Sequence, residues 1–202
     1  VVILANGSFP THSIPLAILK SSNPVICCDG AVNSLEKAGL SPGLIIGDMD
    51  SIQPALLEKY KNQIVHLMEQ SDSDLEKTLK FCLDKNILKL NCLGISGFRE
   101  DHLLSNLFLL WNYSNQLDIN VYTDFGQFSF ISNKAVLTSF PGQLVSIFSK
   151  IPDLKITTNN LKFQLIDTPL PFLYKGCSNE SLSDSFMIEF QDGKLMIFQK
   201  YR

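Results

Sequence analysis

From the first residue to about residue 122, short apolar runs alternate with stretches of helical periodicity, and nearly every run ends in polar, turn-forming residues. The runs occupy 1–4, 25–28, 44–46, 64–67, 87–93 and 119–122. Continuous apolar strands separated by helices specify a parallel sheet covered on both faces, since each crossover needs a helix and each strand is buried twice. Ligands of such sheets gather at the carboxyl ends of the strands. Asn6-Gly7, Asp29-Gly30, Gly47-Asp48-Met49-Asp50-Ser51 and the stretch 97–102 all fall on that edge. Helices are expected over 14–20, capped by Ser13 with Pro15 in the first turn, and over 31–38, stopping at Gly39. Further helices are expected from Pro54, from the S-x-x-E capping box at Ser73 to Glu76, and up to about Tyr113.

Past Thr123 the period changes from helical to alternating. Short β-rich segments at 127–131, 135–137, 144–148, 155–158, 163–166, 186–190 and 195–199 are separated by turn residues, and Asp192-Gly193 carries a hairpin signal. The fold class expected is α/β: an N-terminal three-layer α/β/α domain with a mostly parallel sheet, then a C-terminal antiparallel β-sandwich. The boundary falls near Asp124, giving domains 1–124 and 125–202.

Composition removes several function classes. With 45% hydrophobic and 18% charged residues the chain can bury a sizeable core, and a net charge of −3 supplies no electrostatic footprint for nucleic acid. No segment is long and apolar enough to span a membrane. The start lacks the basic-then-apolar form of a signal peptide and has no initiator Met, so missing N-terminal residues are expected. The five cysteines include no CxxC pair, and Cys28, Cys82 and Cys92 lie in apolar segments as small hydrophobes. A reduced, cytoplasmic compartment follows as the expectation.

The residues with chemistry each carry two readings. Asp48 and Asp50 point the same way if the segment is extended, and two converging carboxylates with hard oxygens suit Mg²⁺; the same residues also make an ordinary solvated turn. Asp74 is either a ligand or an acid favoured by a helix start, and Lys77 one turn on is either functional or its surface ion-pair partner. Asp101-His102 opens another helix with the same ambiguity. His12 and His66 read as structural or exposed, and Trp111 as core. Neither GxxxxGK[ST] nor GxGxxG occurs, and the groups open to phosphates are instead the Asn6-Gly7 backbone amides, helix N-termini, Lys77 and Arg99.

In combination, these segments resemble the thiamine pyrophosphokinase family over almost the whole chain. The resemblance is carried by Asp29-Gly30-Ala31 with Asn33, by Gly47-Asp48-Met49-Asp50-Ser51, and by the segment Gln70 to Lys77, similar to the family's D-Q-D-x-T-D-x-x-K. Gly97-Phe98-Arg99-Glu100-Asp101-His102 is similar to G-G-R-x-D-H, and Ser178-Asn179-Glu180 to a late S-N-E. Five weak motifs in the right order at plausible spacing make a specific signal. The resemblance implies an α/β domain followed by a β-sandwich, a homodimer with sites near the domain and subunit interfaces, and transfer of pyrophosphate from ATP to the thiamine hydroxyl, giving thiamine diphosphate and AMP. It implies that Asp48, Asp50 and Asp74 hold Mg²⁺, with Asp101 close to the metal or the hydroxyl. Asn6, Asp29, Asn33, Ser51, Gln70, Lys77 and Arg99 fall to ATP, and Ser178 and Asn179 to the thiamine pyrimidine. The departures are Phe98 where the family usually has Gly, and Glu69 and Ser71 where it often has Asp.

Three other readings use parts of the same pattern. Mg²⁺-dependent phosphohydrolases also carry D-x-D, but in their common family it follows the first strand, whereas here it follows the third. Glycosyl transfer with D-x-D gives no place to Asp74 or to Ser178-Asn179. A non-catalytic sensor of thiamine or nucleotide does not need the complete carboxylate set.

Overall fold

The structure is a computed structural model that describes residues 1–69 and 71–202. The chain divides into two compact units, Val1–Asp124 and Phe125–Arg202. In the first, β1 (Val2–Leu4), α1 (Ser13–Ser21), β2 (Val25–Cys28), α2 (Ala31–Lys37) and β3 (Leu44–Gly47) lead into α3 (Pro54–Lys59) and β4 (Ile64–His66). There follow α4 (Asp74–Asp84), β5 (Lys89–Leu93), α5 (Glu100–Tyr113) and β6 (Asp118–Tyr122). The strands lie in the order β6-β5-β1-β2-β3-β4, and every pairing among them is parallel. Alternation along the strands sorts the core. Val2, Leu4, Val25, Cys27 and Ile45 pack with Leu19 of α1, Val32 and Leu35 of α2, and Leu56 of α3. Cys28 and Ile46 alternate with these, so they face the opposite side, where α4 packs on β2 and β3 through buried Leu75, Leu79 and Cys82. The four core cysteines are free thiols, and burial pushes Cys28 up to about 12 and Cys82 to about 11.

Helix α1 corrects an expectation. Ser13 is its first residue rather than its cap; the cap is His12, whose Nδ1 accepts from the Ile14 amide at 3.3 Å. The turn before it is pinned by Asp124, whose carboxylate accepts from the Thr11 amide at 2.9 Å, the Thr11 hydroxyl at 2.5 Å and the His12 amide at 3.0 Å. Burial alone would raise the Asp124 pKa, but these donors outweigh it and hold the carboxyl below its ordinary value. Asp124→Ala is therefore expected to cost roughly 1 kcal/mol, since the group is only partly buried and shares the work of a helix cap. A lowered native pKa means the contribution is complete above the ordinary carboxylate value of about 4 and disappears as pH falls through the native value. Chemical unfolding of both proteins at neutral pH and near pH 3 checks it: the gap in midpoint must narrow at the acid end.

The second unit contains β7 (Gly126–Thr138), β8 (Leu144–Ser149), β9 (Lys155–Asn159), β10 (Thr168–Pro169), β11 (Asn179–Glu180) and β12 (Ser185–Lys200), all paired antiparallel. Two pairs of expected strands are fused, 127–131 with 135–137 and 186–190 with 195–199. Asp192-Gly193 does not reverse the chain. It lies in a bulge where the β12 register slips between Glu189 and Lys194, with Asp192 (φ 51°) and, on β7, Asn133 (φ 60°) in the left-handed region. The bulge lets one strand serve two partners in succession: β9 along Met187–Phe190 and β8 along Leu195–Gln199. The expected strand at 163–166 is irregular instead. Leu165 exchanges bonds with Thr158, and Phe163 is held by the Asn179 side chain. The core is Val145, Ile147, Ile156, Phe186, Ile188, Leu195 and Ile197 with their neighbours.

Candidate active site

In the first unit the chain winds from β1 out to β4 and then returns to the other side of β1, so the sheet changes direction between β1 and β5. The crevice beyond the carboxyl ends at such a point is where open α/β sheets take ligands. Here the two strands stay joined past their ends. The Ala5 amide donates to Leu93 O at 2.8 Å, Gly7 to Gly94 O at 2.8 Å and Ser8 to Ser96 O at 2.7 Å. A Cβ on Gly7 would lie 2.3 Å from Gly94 O and 2.5 Å from Ser96 O, so only glycine permits this approach. Beside the seam is a cavity of about 400 Å³. Its wall contains Asn6, Asp48, Asp74, Lys77 and Arg99 among the residues expected from sequence.

The loop after β3 is not extended. Met49 has φ 70°, which breaks the i, i+2 geometry expected for Asp48 and Asp50 and turns the loop back on itself. The Asp50 amide donates to Asp48 Oδ1 at 3.4 Å, and the Ser51 hydroxyl donates to Asp50 Oδ1 at 2.7 Å. From α2, Asn33 clamps the loop: its Nδ2 donates to Ser51 O at 2.8 Å and its Oδ1 accepts from the Gln53 amide at 3.1 Å. Asp29, at the end of β2, accepts from the Ser51 amide at 3.1 Å. Asn33 and Ser51 thus build the loop around the carboxylates.

One oxygen each from Asp29, Asp48 and Asp50 lie within 4.8 Å of one another. Asp29 is 1% exposed, and its Oδ1 is buried with no hydrogen-bond partner among the described residues. An unpaired buried carboxylate oxygen is costly, and three hard oxygens at this spacing suit a small divalent cation. The structure thus groups Asp29, rather than the expected Asp74, with Asp48 and Asp50. Gly47 makes room, since a Cβ there would sit 2.7 Å from Asp29 Cβ and 3.1 Å from Asp74 Oδ1.

Asp74 opens α4 next to the cap Ser73, whose hydroxyl accepts from the Glu76 amide at 3.2 Å. The reciprocal half of the capping box is used otherwise: the Glu76 carboxylate accepts from Tyr113 Oη at 3.0 Å. Lys77 Nζ donates to Asp74 Oδ1 at 3.1 Å and lies 3.6 Å from Asp48 Oδ2. Burial raises the Asp74 pKa; Lys77 opposes that, and the charges of Asp29 and Asp48 add to it. For Lys77, burial pulls the pKa down, but Asp74 and Asp48 outweigh it and the net direction is up.

Gln70 lies outside the described residues. Arg99 reaches the cavity wall but pairs with Asp101 through Nε at 3.0 Å and Nη2 at 2.5 Å, both side chains exposed. Asp101 is outside the wall, whereas His102, Phe98 and Asn106 are in it. The spacing of His102 and Asn106, one helical turn apart on α5, was the available signal for the latter, whose Nδ2 donates to Ile95 O at 3.1 Å. Asp72 also lines the cavity and is paired with Lys80 at 2.5 Å.

In the second unit, Ser178 (φ 61°) is exposed, and its amide donates to Ser146 Oγ at 3.1 Å. Asn179 is buried, with its amide group engaged internally: Oδ1 accepts from the Phe163 amide at 3.0 Å and the Glu180 amide at 2.8 Å, and Nδ2 donates to Phe163 O at 2.8 Å. It forms part of the wall of a cavity of about 120 Å³ with Phe163, Leu170 and Cys177.

Comparison with known proteins places these features in a family. The family described as "Thiamin pyrophosphokinase, catalytic domain" matches residues 16–123, and "Thiamin pyrophosphokinase, substrate-binding domain" matches residues 126–198. Thiamine pyrophosphokinase 1 of Oryza sativa subsp. japonica is 33% identical over 84 residues, covering 37% of this chain and 32% of that protein. Thiamin pyrophosphokinase 1 of Caenorhabditis elegans is 34% identical over 91 residues, covering 41% of this chain and 37% of that protein. The matched stretch thus spans about a third of the length of these curated relatives. Among solved structures, thiamine pyrophosphokinase from Bacillus subtilis superposes with TM-score 0.84 at 21% identity, covering 98% of this chain and 97% of that one. The enzyme from Candida albicans gives 0.83 at 14% identity, covering 100% and 89%. At these identities the structural likeness establishes the fold. Both domain matches, in order and spanning nearly the whole length, show that the chain belongs to the thiamin pyrophosphokinase family.

Proposed function

We propose that this chain transfers a pyrophosphoryl group from ATP to the hydroxyl of thiamine, yielding thiamine diphosphate and AMP, with Mg²⁺ held by Asp29, Asp48 and Asp50. The observation that carries the reading is the buried, unpartnered Oδ1 of Asp29 within a three-carboxylate group, in a unit matched by the family's catalytic domain. Bound there, Mg²⁺ supplies neutralisation of the phosphate charge. The rest is positioning by the chain, which is what phosphoryl-group transfer chiefly requires. The thiamine hydroxyl oxygen forms a bond to the β-phosphorus and gives up its proton to a carboxylate of the site, which passes it to solvent, while the bond from that phosphorus to the oxygen bridging to the α-phosphate breaks and AMP leaves with that oxygen. Asn33 and Ser51 hold the metal loop in shape. Arg99 exchanges its exposed partner Asp101 for a phosphate, a bidentate acceptor of the same kind. In this reading Asp101 is freed toward the hydroxyl, Asn6 and the undescribed Gln70 belong to the nucleotide side, and the 1–124 unit is the ATP and metal domain. The 125–202 unit holds thiamine, supported by its match to a substrate-binding domain. Ser178 offers a hydroxyl there, while Asn179 shapes the wall.

We also infer a homodimer, supported by exposed Phe163, Ile166, Phe172 and Tyr174 in one stretch of the second unit. A cytoplasmic setting is supported by the five free cysteines. Among the described residues no helix is long and apolar enough to cross a membrane. Incubation with ATP, Mg²⁺ and thiamine, with nucleotides resolved by chromatography, is expected to give AMP and thiamine diphosphate one for one. ADP with thiamine monophosphate, or phosphate release independent of thiamine, would overturn the assignment. Sedimentation of the same active sample is expected to show the dimer, and a fully active monomer would remove that part.

A further inference from the structure

Lys77 is 4% exposed, an unusual place for an ammonium that only has to reach a ligand in an open cavity. It projects from α4 and lies between Asp74 at 3.1 Å and Asp48 at 3.6 Å, and Asp48 belongs to the carboxylate group with Asp29 and Asp50. One buried cation therefore sits against two carboxylates, Asp74 and Asp48, and Asp48 shares its edge of the sheet with Asp29 and Asp50. Like charges this close repel and would spread the loop after β3, while a buried lysine without partners would lose its charge. Each problem solves the other.

We infer that Lys77 is a built-in counter-cation: it holds the carboxylate edge assembled before a divalent ion arrives, and lowers that edge's affinity for the ion. This rests on the metal role proposed above for Asp29, Asp48 and Asp50. Lys77 is a positioning residue in this account, acting on the ion through Asp48. A single positive charge a few ångströms from a divalent ion, even in a water-like dielectric, is enough to change affinity by about ten-fold. Removing it has two opposite consequences. The metal-free protein becomes less stable, and the ion binds more tightly.

The test is calorimetric titration of the nucleotide-free chain with Mn²⁺, together with thermal unfolding with and without the ion. Lys77→Met is expected to bind Mn²⁺ about ten-fold more tightly than wild type, to melt earlier without metal, and to gain more from added Mn²⁺. Lys77→Arg, which keeps the charge, should bind within about three-fold of wild type. Lys77→Gln supplies a second neutral side chain where the Met variant does not fold. A purely structural lysine would lower the melting temperature and leave the affinity within two-fold, which overturns the inference, as does weaker binding. If wild type binds no Mn²⁺ at all, the metal reading falls and the counter-cation falls with it. If wild type binds, Asp48→Asn does not, and the neutral Lys77 variants match wild type, only the role of Lys77 is lost.

Discussion

Asp48→Asn and Asp50→Asn are each expected to lower the turnover of ATP and thiamine by two orders of magnitude or more, the usual scale for losing one preorganised electrostatic group. The loop should survive both changes. Asparagine keeps an acceptor for the Asp50 amide, now bonded to Asp48 at 3.4 Å, and for the Ser51 hydroxyl, now bonded to Asp50 at 2.7 Å. What disappears is one negative charge out of three that lie within 4.8 Å of one another. In the absence of metal that relieves repulsion, so the melting temperature should hold or rise slightly. Steady-state rates and metal-free melting curves on the same preparations separate the two roles. Loss of turnover with intact folding supports charge at a metal site; unfolding of the variants would show that the carboxylates serve the turn. Asp29→Asn belongs in the series, because the amide retains a bond to the Ser51 amide while the charge of the orphaned oxygen is gone. If Asp29→Asn keeps full turnover and Asp74→Asn does not, the metal ligands are those expected from sequence and not the group of Asp29, Asp48 and Asp50 proposed above.

Asn179→Ala is expected to act on stability, by about 2–3 kcal/mol. Three hydrogen bonds end on this buried side chain, and its loss strands the amides of Phe163 and Glu180 and the carbonyl of Phe163. Each is worth about 1 kcal/mol net, and more where the abandoned group stays out of water. At Phe163 the amide of Asn179 bonds both the backbone N–H and the carbonyl, as a β-partner would. Urea unfolding of wild type and variant measures the cost, and thiamine and ATP KM values measured well below the midpoint show whether any effect is local to the acceptor. A ten-fold rise in thiamine KM with unchanged stability would reverse the assignment and make Asn179 a ligand-binding group.

Asn179 also marks what could be read from residues alone. Its motif is visible in the sequence, but a Ser-Asn pair looks the same whether the amide faces a ligand or its own backbone. The α/β half was legible because buried strands and capped helices have periods, and the S-x-x-E box located α4 to the residue. The cap at His12 was not, because it depends on Asp124, distant in sequence and brought to the same turn by folding. The same holds for the carboxylate group: Asp48 and Asp50 are two residues apart in sequence, but Asp29 joins them only because β2 and β3 are neighbours. Met49 taking a positive φ, rare for a non-glycine residue, defeated the i, i+2 argument. In the second half, turn residues at 192–193 predict a hairpin, and only pairing along the whole of β7 reveals a bulge.

The strand order carries a consequence for how the chain comes to be active. Among the strands of this sheet β1 comes before the others, and its neighbour on one side, β2, follows within a few tens of residues, so that pairing is local. Its neighbour on the other side is β5, with Val2 opposite Asn91, and that partner follows only about ninety residues later. Closing so long a loop is slow compared with forming the adjacent β–α–β units. The seam contributes Ala5 to Gly7 and Gly94 to Ser96 to the wall of the cavity. During biosynthesis the chain therefore assembles its carboxylate loop, on β2 and β3, before it has a pocket for a substrate, and a nascent chain that ends short of β5 can gather the three acids without having anywhere to use them.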